Sequence, residues 1–212
     1  MEAAAYPTTA AIDALPTLDD TPVIYSGCCL ALSTPLVRHI HSLLAPRPAL
    51  VLSVGSGFGL LEAHLLALAA PPASPGPSPH PVDVVGVEVE PSPNKYLPAS
   101  CHRTVHGTRF LEPLAAKATT WLFVYPRRIN LVREYMDAYG QSRVRHIIWI
   151  GPQADWDEYE PCFAQWHVRM QTADEVGGRP WDTIVMATRP GVILHDPVSD
   201  ANSEPNCAWE SA

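Results

Sequence analysis

Basic residues are scarce in this chain: 14 Lys and Arg stand against 22 Asp and Glu in 212 residues, a formal net charge of −8. Such a surface offers no sheath for phosphates, which excludes a general nucleic-acid binder and leaves room only for a local basic patch. No Cys-x-x-Cys pair occurs, and the five cysteines (Cys28, Cys29, Cys101, Cys162 and Cys207) leave an odd one in any pairing scheme. A reduced, intracellular protein is the simplest reading. Long hydrophobic runs are also missing. The most apolar stretch, Leu60 to Ala70, has eleven residues and contains Glu62 and His64, and Met1 to Ala11 carries Glu2 where a secretory leader would be basic. Neither a signal peptide nor a membrane span is expected, and the expected location is cytoplasmic.

Hydrophobic residues make up 47% of the chain, enough for one real core. Proline, at 23 residues, is about twice its usual share of roughly 5%. Much of the excess falls where apolar periodicity is absent. Residues 1–21 read as a flexible arm and 193–212 as a disordered acidic tail. Residues 71–81 (PPASPGPSPHP) read as a surface insertion within one domain spanning 22–192.

Inside that domain the pattern alternates. Thr34-Pro35 offers an N-cap and a first-turn proline before Leu36, Ile40, Leu43 and Leu44, which predicts a helix. ALVLSV (49–54), VDVVGVEV (82–89), TWLFVY (120–125) and VRHIIWI (144–150) are buried-strand runs, with a weaker strand near 103–106. Helices are expected over 60–70 and on the face formed by Ile129, Val132, Met136 and Tyr139. Such alternation predicts an α/β fold, a doubly wound, mostly parallel sheet. The strand-like runs 163–170 and 181–188, joined through Gly177-Gly178, predict an antiparallel hairpin at its edge.

The sharpest local signal is Ser53-Val54-Gly55-Ser56-Gly57-Phe58-Gly59, placed where a strand turns into a helix. Glycines there permit a tight turn and a close backbone approach to a ligand, and the helix start presents free N–H groups. Glu88 closes the next strand, 33 residues after Gly55. Removing the eleven-residue proline segment brings that spacing near the usual value of about 20 for a carboxylate that receives ribose hydroxyls.

VLSVGSGFGLLE followed by VVGVEVEPSP resembles the first two motifs of the class I S-adenosylmethionine-dependent methyltransferases, and TTWLFVYP stands where that family has its fourth strand. The resemblance covers about residues 23 to 190 and implies a Rossmann-like fold with a closing antiparallel hairpin. It also implies S-adenosyl-L-methionine as cofactor, with Tyr25, Ser53, Gly55, Ser56, Gly57, Gly59, Glu88 and Val89 as binding residues. Departures stand beside it. Ser53 occupies the position where many members carry an acid for the cofactor's amino group, and no Asp near Val105 to Thr108 matches the one that reaches adenine. Strand four ends in Tyr-Pro-Arg-Arg and not in an Asn-Pro-Pro-Tyr type of motif. A nicotinamide dinucleotide fingerprint would need glycine at position 60, where Leu60 stands.

Methyl transfer asks mainly for alignment, so no conspicuous catalytic group is required. Tyr125, at the end of strand four, is the candidate for orienting an acceptor, with simple packing as its alternative. Tyr25 either closes over the methionine end of the cofactor or orders the N-terminal arm. His39 with His41, and His102 with His106, lack a carboxylate or cysteine at ligand spacing, so no metal is expected. Adjacent Cys28 and Cys29 suit small apolar filling, and Gly55-Ser56-Gly57 does not fit the Gly-x-Ser-x-Gly elbow of a hydrolase. Arg127 and Arg128 form the basic neighbourhood, read as a solvated surface or a site for an acidic group. The acidic run 155–160 lines an acceptor entrance, serves a partner or starts a helix. The expected function is methylation of a small-molecule or protein acceptor, with a protein partner or homodimer left open. The alternative is a catalytically inactive binding or assembly subunit.

Overall fold

The computed structural model describes residues 12–68 and 80–192. Most of the proline-rich segment, the first eleven residues and the acidic tail therefore lie outside the described residues. The described part of the N-terminal arm lies against the domain: Asp13 N–H donates to Lys95 O at 2.9 Å and Thr34 N–H to Asp19 O at 2.8 Å.

Helix α1 (Thr34–Ser42) begins with Ser33, not Thr34, as its cap. The Ser33 hydroxyl accepts from Leu36 N–H at 3.2 Å, while the Thr34 hydroxyl donates to Leu18 O at 2.9 Å and ties the arm down. Strand β1 (Leu50–Val54) leads through the glycine turn into α2 (Leu60–Leu68), then come β2 (Asp83–Val89) and β3 (His102–Val105). After them follow β4 (Thr120–Val124), α3 (Ile129–Tyr139), β5 (His146–Pro152), the short α4 (Trp156–Tyr159), β6 (His167–Thr172) and β7 (Asp182–Thr188).

The seven strands form one sheet in the order β3-β2-β1-β4-β5-β7-β6. β3, β2, β1, β4 and β5 run parallel, while β7 is antiparallel to both β5 and β6. The fold is thus a Rossmann-like α/β sheet with the expected terminal hairpin. β6 forms the edge, and β7 is clamped between it and β5. β6 starts at His167 and not at Phe163, because Phe163 closes a turn of 3-10 helix and is buried beside Trp156.

Each face of the sheet carries its own core. Leu36, Ile40, Leu60 and Leu65 of α1 and α2 pack with Val51, Leu122 and Ile148 on one face. The other is strongly aromatic: Trp121, Phe123, Tyr135, Trp149, Trp156 and Phe163 are all buried there. Covering both faces removes the central strands from water, which explains their continuous apolar sequences. Successive connections diverge on either side of β1 and β4. A crevice therefore opens beyond the carboxyl ends of these strands, the place where doubly wound folds hold ligands.

Candidate functional site

Three glycines shape the turn after β1, and all have positive φ: 84° at Gly55, 56° at Gly57 and 76° at Gly59. Gly55 and Ser56 donate their N–H groups to Val87 O at 2.9 and 3.0 Å, lacing the turn to β2. A β-carbon on Gly55 would meet nothing within 4 Å, so the backbone there faces open space. A β-carbon on Gly57 would lie 2.9 Å from Gly27 O, so the demand for glycine at 57 comes from the protein itself. At Gly59 the close neighbours are Leu97 and Asn94, which makes it a packing position at the helix start.

Glu88 is held against this turn. Its Oε2 accepts from Gly57 N–H and its Oε1 from Val89 N–H, both at 2.8 Å. Two backbone donors fix the carboxylate in one orientation, yet each oxygen keeps a lone pair for a ligand hydroxyl. The neighbouring Glu90 faces away from this arrangement, paired with His106 Nδ1 at 2.6 Å near the surface.

The turn and Glu88 form part of the wall of a cavity of about 500 Å³, in the size range of small-molecule sites. Gly55, Ser56, Gly57, Glu88, Val89 and Tyr125 all line it, as do Val105, Phe110 and Leu131 on an apolar side and Gly27 to Cys29 from the N-terminal loop. Tyr25, Ser53 and Gly59 do not. Tyr25 packs against the core, and its hydroxyl donates to Thr17 O at 3.3 Å; its near neighbours Gly27, Cys28 and Cys29 reach the cavity instead. Burial pushes the Cys28 thiol up to about 12, which removes it as a nucleophile near neutral pH.

Ser53 lies beneath the cavity floor and points to a residue that the sequence did not single out for binding. Its hydroxyl donates to Glu62 Oε1 at 2.5 Å. Glu62, in the first turn of α2, is 2% exposed and lines the cavity, and its Oε2 has no hydrogen-bond partner. Desolvation raises its pKa to about 7, against the opposing effect of the Ser53 bond. An acid inside an otherwise Leu- and Ala-rich helix is the one sequence signal that could have marked it.

At the far end of β4, Tyr125 takes φ 50°, the sole non-glycine residue with positive φ among the described residues. Such a conformation costs energy and is typical of functional corners. The Tyr125 hydroxyl donates to Asp182 Oδ1 at the start of β7. Asp182 is fully buried, its Oδ2 has no partner, and burial raises its pKa. Burial, and then the bond to Asp182, push the Tyr125 phenol above its usual range. Tyr125 is therefore suited to hold a shape and not to accept a proton.

Tyr125, Pro126, Arg127 and Arg128 are shared with a second cavity of about 460 Å³, bordered further by Trp149, Asp155, Glu158 and Tyr159. Arg127, exposed to solvent, and Arg128, half-buried, both border the two cavities, so the solvated surface they form lies at the cavity mouths. Arg128 also donates to Thr108 O at 2.5 Å. The acidic run after β5 contributes to this second chamber. The histidine pairs lie elsewhere, and no cluster of metal-ligating side chains occurs among the described residues.

No protein-family model and no curated protein matches the sequence. Solved structures do match. A precorrin-6y C5,15-methyltransferase from Geobacter metallireducens is similar over 84% of this chain and 99% of its own, with a TM-score of 0.53 at 12% identity. A glycopeptide N-methyltransferase complexed with S-adenosyl-L-methionine is similar over 80% of this chain and 100% of its own, with a TM-score of 0.51 at 13% identity. A precorrin 8W decarboxylase from Methanobacterium thermoautotrophicum gives 0.50 at 12% identity over 81% of this chain and 99% of its own. At these identities the likeness concerns the fold alone: the Rossmann-like α/β sheet of this chain is also that of two solved methyltransferases. No helix among the described residues is long and apolar enough to cross a membrane.

Proposed function

We propose that this protein binds S-adenosyl-L-methionine in the larger cavity and transfers its methyl group to a small-molecule or protein acceptor. The observation that carries this reading is Glu88. It is a carboxylate anchored on the glycine turn by Gly57 N–H at the carboxyl end of β2, with lone pairs left for the two hydroxyls of a ribose. Beside it, Val89, Val105, Phe110 and Leu131 offer an apolar side suited to adenine. Gly55 leaves open space for the middle of the cofactor. Donor chemistry and shape therefore fit the group.

The cofactor, when bound, supplies an electrophilic methyl on a sulfonium, which a nucleophile displaces in line. The chain's own part is to bind and orient. Tyr125, fixed by Asp182, forms a rigid corner between the two cavities, and we assign the second cavity to the acceptor. Its walls carry both signs of charge, Arg127 and Arg128 against Asp155 and Glu158, so a polar acceptor or a polar peptide segment fits better than a hydrocarbon.

Thermal unfolding tests the reading by ligand linkage. S-adenosylmethionine and its demethylated product should each raise the melting temperature in proportion to log concentration, and NAD should not. A shift with NAD alone would replace the methyl-donor reading with a dinucleotide one.

A further inference from the structure

Glu62 is a buried carboxylate with one oxygen satisfied by Ser53 and the other unpartnered, at the wall of the larger cavity. None of the ion pairs among the described residues includes it. The charged group that acts on it most is Glu88, of like sign. A carboxylate in this setting lacks a cation, and leaving it so is costly. The cavity is open to a ligand that brings one. Glu62 sits on the β1 side, bonded to Ser53, whereas the apolar residues Val89 and Val105 belong to β2 and β3. A ligand with its adenine on that apolar side and its ribose at Glu88 therefore extends its remaining end toward Glu62.

We propose that Glu62, positioned by Ser53, is the site for the ammonium group of the cofactor's amino acid end. The carboxylate that β1 lacks at position 53 is supplied from the first turn of α2, and Ser53 serves as the hydrogen-bond donor that aims it. This inference rests on the methyl-donor reading of the cavity. It adds that the amino acid end is recognised by a buried charge and not through water.

Two ligands separate the two claims. S-adenosylhomocysteine keeps the amino acid end, and 5′-methylthioadenosine lacks it while retaining adenine, ribose and sulfur. In calorimetric titrations, Glu62→Gln should lose roughly ten- to hundredfold in affinity for S-adenosylhomocysteine, the size expected for a charge-assisted hydrogen bond, and keep its affinity for methylthioadenosine. Equal affinity of Glu62→Gln and wild type for S-adenosylhomocysteine would overturn the assignment while leaving the cofactor reading intact. A loss confined to S-adenosylmethionine would overturn it in favour of a sulfonium contact. Failure of wild type to bind either nucleoside would overturn the cofactor reading and this inference with it.

Wild-type protein carries the same test should the variant not fold. Ser53 from β1, Glu88 from β2 and Cys28 from the N-terminal loop face Glu62, and His64 shares its helix. Affinity for S-adenosylhomocysteine relative to methylthioadenosine should rise about tenfold from about pH 5.5 to about 7.5 as Glu62 ionises. Glu88 meets both nucleosides alike, so the ratio isolates the amino acid end. A flat ratio would overturn the proposal.

Discussion

Glu88 Oε2 accepts the N–H of Gly57 at 2.8 Å, so the carboxylate at the end of β2 and the turn after β1 form one rigid unit. The bond joins the two motifs that stand 31 residues apart in the chain. It fixes where a ribose would lie relative to the glycine turn before any ligand arrives. Glu88→Ala removes that anchor and the ribose acceptor together. Affinity for S-adenosylhomocysteine should fall by about 1.5–3 kcal/mol, as for lost hydrogen bonds to a charged group. Titration calorimetry measures it, and an unchanged affinity would remove Glu88 from the site.

Gly57 and Gly55 should respond differently to the same substitution. Both have positive φ, and a residue with a β-carbon pays roughly 1–2 kcal/mol for that conformation. At Gly57 the new β-carbon also meets Gly27 O at 2.9 Å, whereas at Gly55 it enters empty space. Gly57→Ala should therefore lower the melting temperature more than Gly55→Ala, while Gly55→Ala should weaken nucleoside binding with the smaller loss of stability. Equal melting temperatures would show that the Gly27 contact relaxes freely.

Stability of the ligand-free protein should depend on Glu62. Its pKa is raised in the folded state from 4.5 to about 7, so its contribution is fully present below the unfolded value and is lost as pH rises through about 7. The loss over that window is about 3 kcal/mol. Glu62→Gln stays neutral, so its stability relative to wild type should increase between about pH 5 and about pH 8. Urea unfolding of both proteins at the two pH values reads the difference, and a constant difference would contradict the burial of a neutral acid. Asp182, raised in the same direction, contributes equally to both proteins and cancels.

The Tyr125–Asp182 pair should prove structural in the first instance. Tyr125→Phe keeps the ring at the cavity wall but leaves Asp182 buried with neither oxygen bonded. A cost of about 1–3 kcal/mol in stability follows, with affinity for S-adenosylhomocysteine unchanged. Adding Asp182→Asn should recover part of that loss, because a neutral amide is cheaper to bury than an unpaired carboxylate. Denaturant unfolding and titration together check both halves; a loss of affinity in Tyr125→Phe would give the hydroxyl a role toward the nucleoside.

The strands that hold the site were legible for a physical reason. β1, β2, β4 and β5 are covered on both faces and carry near-continuous apolar sequences, so their existence could be read directly. β3 is short and largely polar at the sheet margin, and gives only a weak signal. Phe163 resembles a strand residue in sequence but serves the aromatic cluster around Trp156, so β6 begins only at His167. Within the site, the glycine turn and Glu88 were visible because backbone geometry dictates residue type there. Glu62 and Asp182 were not. Each derives its meaning from a partner brought close by folding, Ser53 nine residues back and Tyr125 57 residues back, and no local pattern records such a pairing.

The central claim is that the cavity beside Gly55 and Glu88 takes S-adenosylmethionine. Calorimetric titration of the purified protein with S-adenosylmethionine, its demethylated product and NAD tests it most directly. The account predicts one-site binding of the first two in the micromolar range and none of NAD. Absence of binding by both adenosyl compounds would contradict it and would direct the search to protein partners of a scaffold that has kept the fold and not the cofactor.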